Sequence, residues 1–317
     1  MKFIVSPLIF DEFFTSSVKL KNKTVIVILG PTAAGKTAAA IRLAQLIQTK
    51  IISADSRQCF RELSIGVAKP TEKELRSVHH YFINSHGIHE YVNAALFEQL
   101  ALQYAQEIFR ENDKLVMVGG TGLYIRAFCE GLDEIPVVEK NIREKIQKGY
   151  AQYGLGWLQD EIKKYDTEFY REGEILNPQR VMRALEVKLS TERSILSFHS
   201  TQKKHRAFNI IKVGLRLSRE QLHRNINNRT EQMISNGLLQ EVEQLQPYRH
   251  LNALKTVGYT ELFDYVDKKI SLDAAIELIN KNTRQYAKRQ MTWFKKDDAV
   301  TWVDPDELHL LKNITEP

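Results

Sequence analysis

The 317-residue sequence predicts an α/β fold: a parallel sheet flanked by helices, with an all-helical domain inserted into it. Three observations carry that expectation. Residues 30–37 read GPTAAGKT, directly after the apolar run Val25-Ile26-Val27-Ile28-Leu29 and before Ala40, Leu43, Ala44 and Ile47, which follow helical spacing. Short apolar runs then alternate with helical patterns, which argues for βα units and a parallel sheet. From about 131 to 206 no buried strand is legible, and strand character returns only at 210–215.

The loop is the first element to justify. With a strand before it and a helix after it, the G-x-x-x-x-G-K-[ST] spacing is a phosphate loop, and the expected core is P-loop NTPase-like. Gly30 and Gly35 let the backbone curl, so that the N–H groups of the segment Pro31, Thr32, Ala33 and Ala34 point into one small space. The helix that follows adds its positive end. Lys36 supplies a mobile point charge for phosphate oxygens, and Thr37 a hydroxyl able to ligate Mg²⁺, the cofactor this loop implies.

The next short strand is 51–54, ending at Asp55. A helix near 94–110 carries Phe97, Leu100, Ala101, Tyr104, Ala105 and Ile108 on one face, with Asn93 as its N-cap. Residues 115–118 form another buried strand and end in Gly119-Gly120-Thr121. Ligands of such sheets sit off the carboxyl ends of the strands, so the phosphate loop, Asp55-Ser56-Arg57-Gln58 and Thr121 are expected to converge. In the insertion, Ile142, Ile146, Leu158, Ile162, Val181, Leu185 and Leu189 are spaced like helix core positions. Helices are expected at about 218–235, stopped by Asn236-Gly237, at about 238–246, stopped by Pro247, and at about 272–295. A last strand is read at 299–303. The expected domains are an N-terminal extension (1–22), a core from 23–130 and 207–317, and the helical insertion 131–206.

Forty-five Lys and Arg against 39 Asp and Glu give a net charge of +6, with a pI near 9.1. That excess permits a nucleic-acid partner without establishing one. The two cysteines, Cys59 and Cys129, make no zinc or disulfide framework and read as packed residues of a reducing, cytoplasmic protein. No apolar stretch is long enough to span a membrane.

An ATPase, GTPase or small-molecule kinase is the default owner of a phosphate loop. Here the candidate strand 115–118 ends in glycines rather than the Asp of a Walker B element, and no guanine-reading Asn/Thr-Lys-x-Asp is present. Asp55 beside the loop has three readings: N-cap, indirect Mg²⁺ ligand or general base. Arg224 and Arg229 follow the return strand as diphosphate contacts or as surface charge. Residues 281–296 form a basic helix in which Lys281, Arg284 and Lys288 share a stripe, either an RNA phosphate track or a solvated face.

Taken in order, seven segments resemble the bacterial tRNA dimethylallyltransferases. They are the loop 30–37; Asp55-Ser56-Arg57-Gln58; Gly66-Val67-Ala68-Lys69-Pro70; Gly119-Gly120-Thr121-Gly122-Leu123-Tyr124; Asn177-Pro178-Gln179-Arg180; Val257-Gly258-Tyr259; and Thr283 to Gln290 followed by Thr292-Trp293. The resemblance runs from about 24 to 303. Val67 departs from it, standing where the family usually has Thr.

The resemblance implies transfer of a dimethylallyl group from its diphosphate to N6 of adenine 37 in tRNA, in an adenine run beside the anticodon; a monomer is expected, on no motif of its own. Asp55 is then the base at the amine. Lys36, Thr37 with Mg²⁺, Arg224 and Arg229 stabilise the departing diphosphate, and Thr121 orients it or the amine. The adenine must be flipped out of its loop. Ser56, Arg57 and Gln58 would clamp it. Arg143, Gln179, Arg180, Val181, Met182 and Arg183 would reach the RNA from the insertion, and Lys255, Gly258, Tyr259, Arg284, Lys288 and Arg289 from the C-terminal part. Prenylation of free adenine nucleotides and a small-molecule kinase remain the alternatives.

Overall fold

Val25, Ile26, Val27 and Ile28 are all but fully buried. A run with no polar alternation is what a strand covered on both faces requires, and β1 (Thr24–Leu29) is the inner strand of a six-stranded sheet. The computed structural model describes residues 23–200 and 202–305. The expected N-terminal extension, 1–22, and the chain beyond 305 lie outside the described residues.

β1 pairs in parallel with β4 (Lys114–Gly119) on one side and β5 (Asn209–Leu215) on the other. β2 (Ile51–Ala54), β3 (His80–Tyr81) and β6 (Val300–Val303) complete the order β3-β2-β4-β1-β5-β6, all neighbours parallel. The helix after the loop is α1 (Lys36–Leu46), whose Ala39, Ala40, Leu43 and Ala44 pack on Ile26, Ile28, Val116 and Val213. Two-residue β3 is too short to leave a periodic signal, and it was not expected.

The helices that follow are α2 (Glu72–Ser77), α3 (Ala94–Glu111) and α4 (Gly122–Glu130). Asn93 caps α3 by accepting the Leu96 N–H at 2.9 Å. Phe97, Ala101, Ala105 and Ile108 are buried as the spacing predicts, while Leu100 and Tyr104 are half-buried.

Among the described residues, 23–130 and 205–305 form one compact unit, and those within Gly131–Lys204 a second. The second contains α5 (Lys140–Tyr165), broken at Gly154 with φ 75°, α6 (Thr167–Glu172) and α7 (Pro178–Thr191). Its own core joins Ile146, Leu158, Ile162, Val181 and Leu185. Leu189, read as a core position, is 37% exposed near the end of α7.

The first unit resumes with α8 (Arg219–Ser235), α9 (Leu238–Leu245), α10 (Tyr259–Val266) and α11 (Leu272–Phe294). Gly237, at φ 98°, supplies the left-handed residue that separates α8 from α9. Pro247 falls in a 3₁₀ turn, Gln246–Tyr248, that ends α9. Among the described residues no helix is long and apolar enough to cross a membrane.

Candidate active site

The phosphate loop crosses from β1 to α1, and its two glycines serve different needs. At Gly30 (φ 140°) a Cβ would lie 2.7 Å from the Leu215 carbonyl of β5. At Gly35 (φ 83°) it would meet nothing within 4 Å, so the left-handed backbone alone selects glycine. Lys36 bends back and donates to the Pro31 carbonyl at 2.6 Å. Burial pulls its ammonium down to about 7; Arg229 pulls the same way and Asp55 opposes. Arg229 donates to Thr32 Oγ1 at 3.2 Å and is itself lowered by desolvation. Two desolvated cations with Asp55 as the opposing charge favour an added anion.

Arg229 and Asn225 lie one turn apart on α8, and Asn225 Nδ2 donates to the Ala33 carbonyl at 3.1 Å. Arg224, one position off that face, is exposed and does not line the cavity described below. The expected diphosphate contact at Arg224 is corrected accordingly. Asn225 is the residue that reaches the loop, and helical phase was the signal for it.

Asp55 performs the capping reading: its Oδ1 accepts the N–H groups of Arg57 at 2.8 Å and Gln58 at 3.2 Å. It also lines a cavity of about 500 Å³ together with Thr32, Arg229, Tyr286 and Arg289. Capping with one oxygen leaves Oδ2 for other chemistry. Thr121 Oγ1 accepts the Ser56 N–H at 3.1 Å, which fixes the hydroxyl at the end of β4 next to Asp55's turn.

Ser56 lines the cavity, and the side chains of Gln58 and Arg57 bond to the protein. Gln58 Nε2 donates to the carbonyls of Val67 at 3.2 Å and Ala68 at 3.0 Å, so its amide holds the chain rather than a base. Arg57 donates to the carbonyls of Asn252 at 2.9 Å and Lys255 at 3.4 Å while still lining the cavity. Val67 lines it too and is 8% exposed. Since Gln58 binds residue 67 through its carbonyl, the change from Thr leaves that bond intact and adds apolar surface.

Tyr259, expected to stack on RNA, is fully buried, and its hydroxyl donates to Glu241 at 2.6 Å. Glu241 also accepts the N–H groups of Ser64, Ile65 and Gly66. Tyr259 thus braces the wall that carries Val67. Gly258 lines the cavity with its N–H donated to Glu261 at 2.8 Å, and Lys255 lines it as an exposed residue. Tyr286 faces the same space and was not singled out from the sequence. The residue as a whole is 37% exposed, but desolvation at the hydroxyl, with Asp55 adding to it, pushes that group up to about 12.

On α11, Arg289 lies over the Tyr286 ring at 5.8 Å and lines the cavity, and Lys288 is exposed. Arg284 instead donates to Asn227 of α8 at 2.8 Å, so it packs two helices and drops out of the expected stripe.

In the helical unit two residues of the expected RNA set lie in the core instead. Val181 (0% exposed) and Met182 (7%) belong to its core, as the i, i+4 pair Val181 and Leu185 requires. Arg143 and Arg183 both pair with Glu186, at 3.4 and 3.3 Å, and Arg180 pairs with Glu174. Gln179 is exposed at the start of α7.

A parallel sheet whose strand ends gather a phosphate loop, a capped carboxylate and two desolvated cations has the arrangement of a P-loop-type enzyme. The family model for IPP transferase matches residues 58–297, and the chain belongs to that family. Among its relatives, the tRNA dimethylallyltransferase 1 of Bacteroides thetaiotaomicron is 43% identical over 284 residues, covering 90% of this chain and 92% of that protein. The tRNA dimethylallyltransferase of Cytophaga hutchinsonii is 44% identical over 287 residues, covering 90% and 94%. A solved structure of full-length tRNA isopentenylpyrophosphate transferase from Bacillus halodurans superposes with a TM-score of 0.67 at 32% identity, over 93% of this chain and 95% of that one. A eukaryotic dimethylallyltransferase solved acting on tRNA shares the fold at a TM-score of 0.75 and 24% identity, over 92% and 76%.

Proposed function

We propose that this chain transfers the dimethylallyl group of dimethylallyl diphosphate to N6 of adenine 37 in tRNA, giving N6-(dimethylallyl)adenosine and diphosphate. One observation carries the reading: Asp55 shares a cavity with Arg229 and Thr32 of the phosphate cradle. A base and a leaving-group site lie side by side.

The exocyclic amine of adenine is a poor nucleophile, because its lone pair is delocalised into the ring. Asp55 Oδ2 takes its proton as the bond to the allylic carbon forms. That carbon tolerates positive charge, so the main demand is on the oxygens where negative charge grows. Lys36 and Arg229, desolvated in advance, meet it without reorganising. Thr121, fixed by Ser56, orients the amine or a diphosphate oxygen. Val67, Ile226, Met233 and Ile279 give the hydrocarbon an apolar lining. Tyr286 and Arg289 flank the space that a flipped purine would enter.

Mg²⁺, when bound, neutralises diphosphate charge. Among the described residues no cluster of three His, Cys, Asp or Glu could hold a metal. The ion needs fewer protein groups than that when phosphate oxygens share it, and the half-buried Thr37 in the first turn of α1 fits that demand. The exposed Lys288 and the net charge of +6 support an RNA substrate.

The test is incubation with labelled dimethylallyl diphosphate and Mg²⁺, with unmodified tRNA, AMP, or ATP alone. Label in tRNA is expected. Label in AMP, or phosphate release from ATP without alkylation, overturns the reading in favour of a nucleotide prenyltransferase or a kinase.

A further inference from the structure

Gly120 and Gly122, on either side of Thr121, and the segment Gln290 to Trp293 are left without a role by the chemistry above. The structure makes them two halves of one contact. Gln290 is 6% exposed, near the carboxyl end of α11. Its Oε1 accepts the N–H of Thr32 in the phosphate loop at 2.8 Å. Its Nε2 donates to the carbonyl of Gly120, at the end of β4, at 2.8 Å. One amide therefore joins the loop after β1 to the loop after β4. The fit leaves no room for a side chain: a Cβ at Gly120 would lie 2.3 Å from Gln290 Nε2, and one at Gly122 would lie 2.3 Å from Trp293 on the same helix. Both glycines are there because α11 docks against their backbone.

The consequence falls on the phosphate site. Thr32 is held twice, through its N–H by Gln290 and through its hydroxyl by Arg229. Its N–H is thereby withdrawn from any bound anion. The N–H groups of Ala33, Ala34 and Gly35 have no acceptor among the described residues and are left to bind one. The same latch sits against the catalytic cation, since Lys36 Nζ is 3.7 Å from the position a Gly120 Cβ would take. Neither a charged nor an apolar residue replaces the amide. Holding an N–H and a carbonyl together needs an acceptor and a donor on one planar group.

We propose that Gln290 is a positioning residue for the prenyl-diphosphate site: it sets the phosphate loop against the β4 end and fixes which loop amides face the diphosphate. The inference rests on the donor reading given under Proposed function, so its test is read on inorganic diphosphate with Mg²⁺, which needs no prenyl transfer. Calorimetry on the full chain compares the native protein with Gln290→Leu and Gln290→Glu. The Leu variant leaves the buried Gly120 carbonyl and the half-buried Thr32 N–H without their partner; diphosphate affinity is expected to fall about tenfold, with tRNA affinity within about twofold. The Glu variant keeps the acceptor for Thr32, and when protonated it can also donate to Gly120. Its affinity deficit relative to the native protein is expected to shrink from pH 8 to pH 6. Native diphosphate affinity in the Leu variant overturns the proposal. So does a parallel loss of diphosphate and tRNA affinity that tracks a lowered Tm, which marks a merely structural residue. If the Leu variant does not fold, the Glu variant at pH 8 decides: its ionised carboxylate cannot donate to Gly120, and native diphosphate affinity there overturns the proposal. A native protein that binds diphosphate but never alkylates tRNA refutes the functional reading alone, and the diphosphate arm still reads Gln290.

Discussion

The strand-end site and the helical unit 131–204 treat their cations in opposite ways. At the site, Lys36 and Arg229 are desolvated, and Asp55 is the carboxylate acting against them both. In the helical unit Arg143 and Arg183 share Glu186, whose side chain is 7% exposed, and Arg180 has Glu174. Charge left uncompensated in a buried place costs stability and is kept where a ligand supplies the missing anion. Charge already paired serves structure: Arg143–Glu186 ties α5 to α7, while Arg183–Glu186 lies within α7 and Arg180–Glu174 is an exposed pair at its start. The contrast separates binding arginines from packing arginines, which sequence spacing alone does not.

The largest expected effect tests the uncompensated side. Asp55→Asn keeps an acceptor for the Arg57 and Gln58 N–H groups but removes the base. Turnover on tRNA should fall by about 10²–10⁴, with tRNA affinity and Tm nearly unchanged. Equal losses in turnover and Tm would show that the cap is the whole role of Asp55.

Next comes pH. Lys36 is pulled down to about 7, so it loses its proton within the assay range. Its charged form binds diphosphate, and donor affinity should weaken as pH rises through about 7. A bound diphosphate raises the ammonium's pKa, so the complex takes up protons there. Because Arg229 contributes to the depression, Arg229→Gln should move the inflection upward while weakening affinity overall. An unmoved inflection would mean that Arg229 does not act on Lys36.

Glu186→Gln sharpens the compensated side. It strands two partly exposed arginines on a buried neutral group, and chemical denaturation should show a loss of about 1–2 kcal/mol, discounted for their exposure. Diphosphate affinity should not change. The smallest effect is Lys288→Ala, which should reduce the slope of log Kd for tRNA against log salt by about one phosphate contact. An unchanged slope would assign Lys288 to a solvated face.

The same contrast explains what was legible in the sequence. The loop, α1, β2, the Asn93 cap and the helix stop at Gly237 follow from backbone rules that act over a few residues, and these elements lie within a residue or two of expectation. Convergence of the strand ends follows from parallel topology. Side-chain partners do not follow in this way. Whether Arg284 meets RNA or Asn227, and whether Tyr259 stacks or braces Glu241, depends on what lies opposite across the fold. Val181 and Met182 were drawn into the RNA set by motif adjacency, against their own helical phase. Asn225 and Gln290 are neutral amides with no charge to attract notice; helical phase puts Asn225 on the Arg229 face, but what each amide meets appears only once α8 and α11 are seen against the loop.

The loop's two glycines carry a last consequence. A methyl group at position 30 would collide with the neighbouring strand and wedge β1 away from β5, so the damage would spread through the sheet. One at position 35 would touch nothing; its penalty is a left-handed backbone of roughly 1 kcal/mol, confined to the anion grip. Identical letters in one signature therefore fail by separate routes, one by loss of the folded enzyme and the other by a weaker hold on its donor.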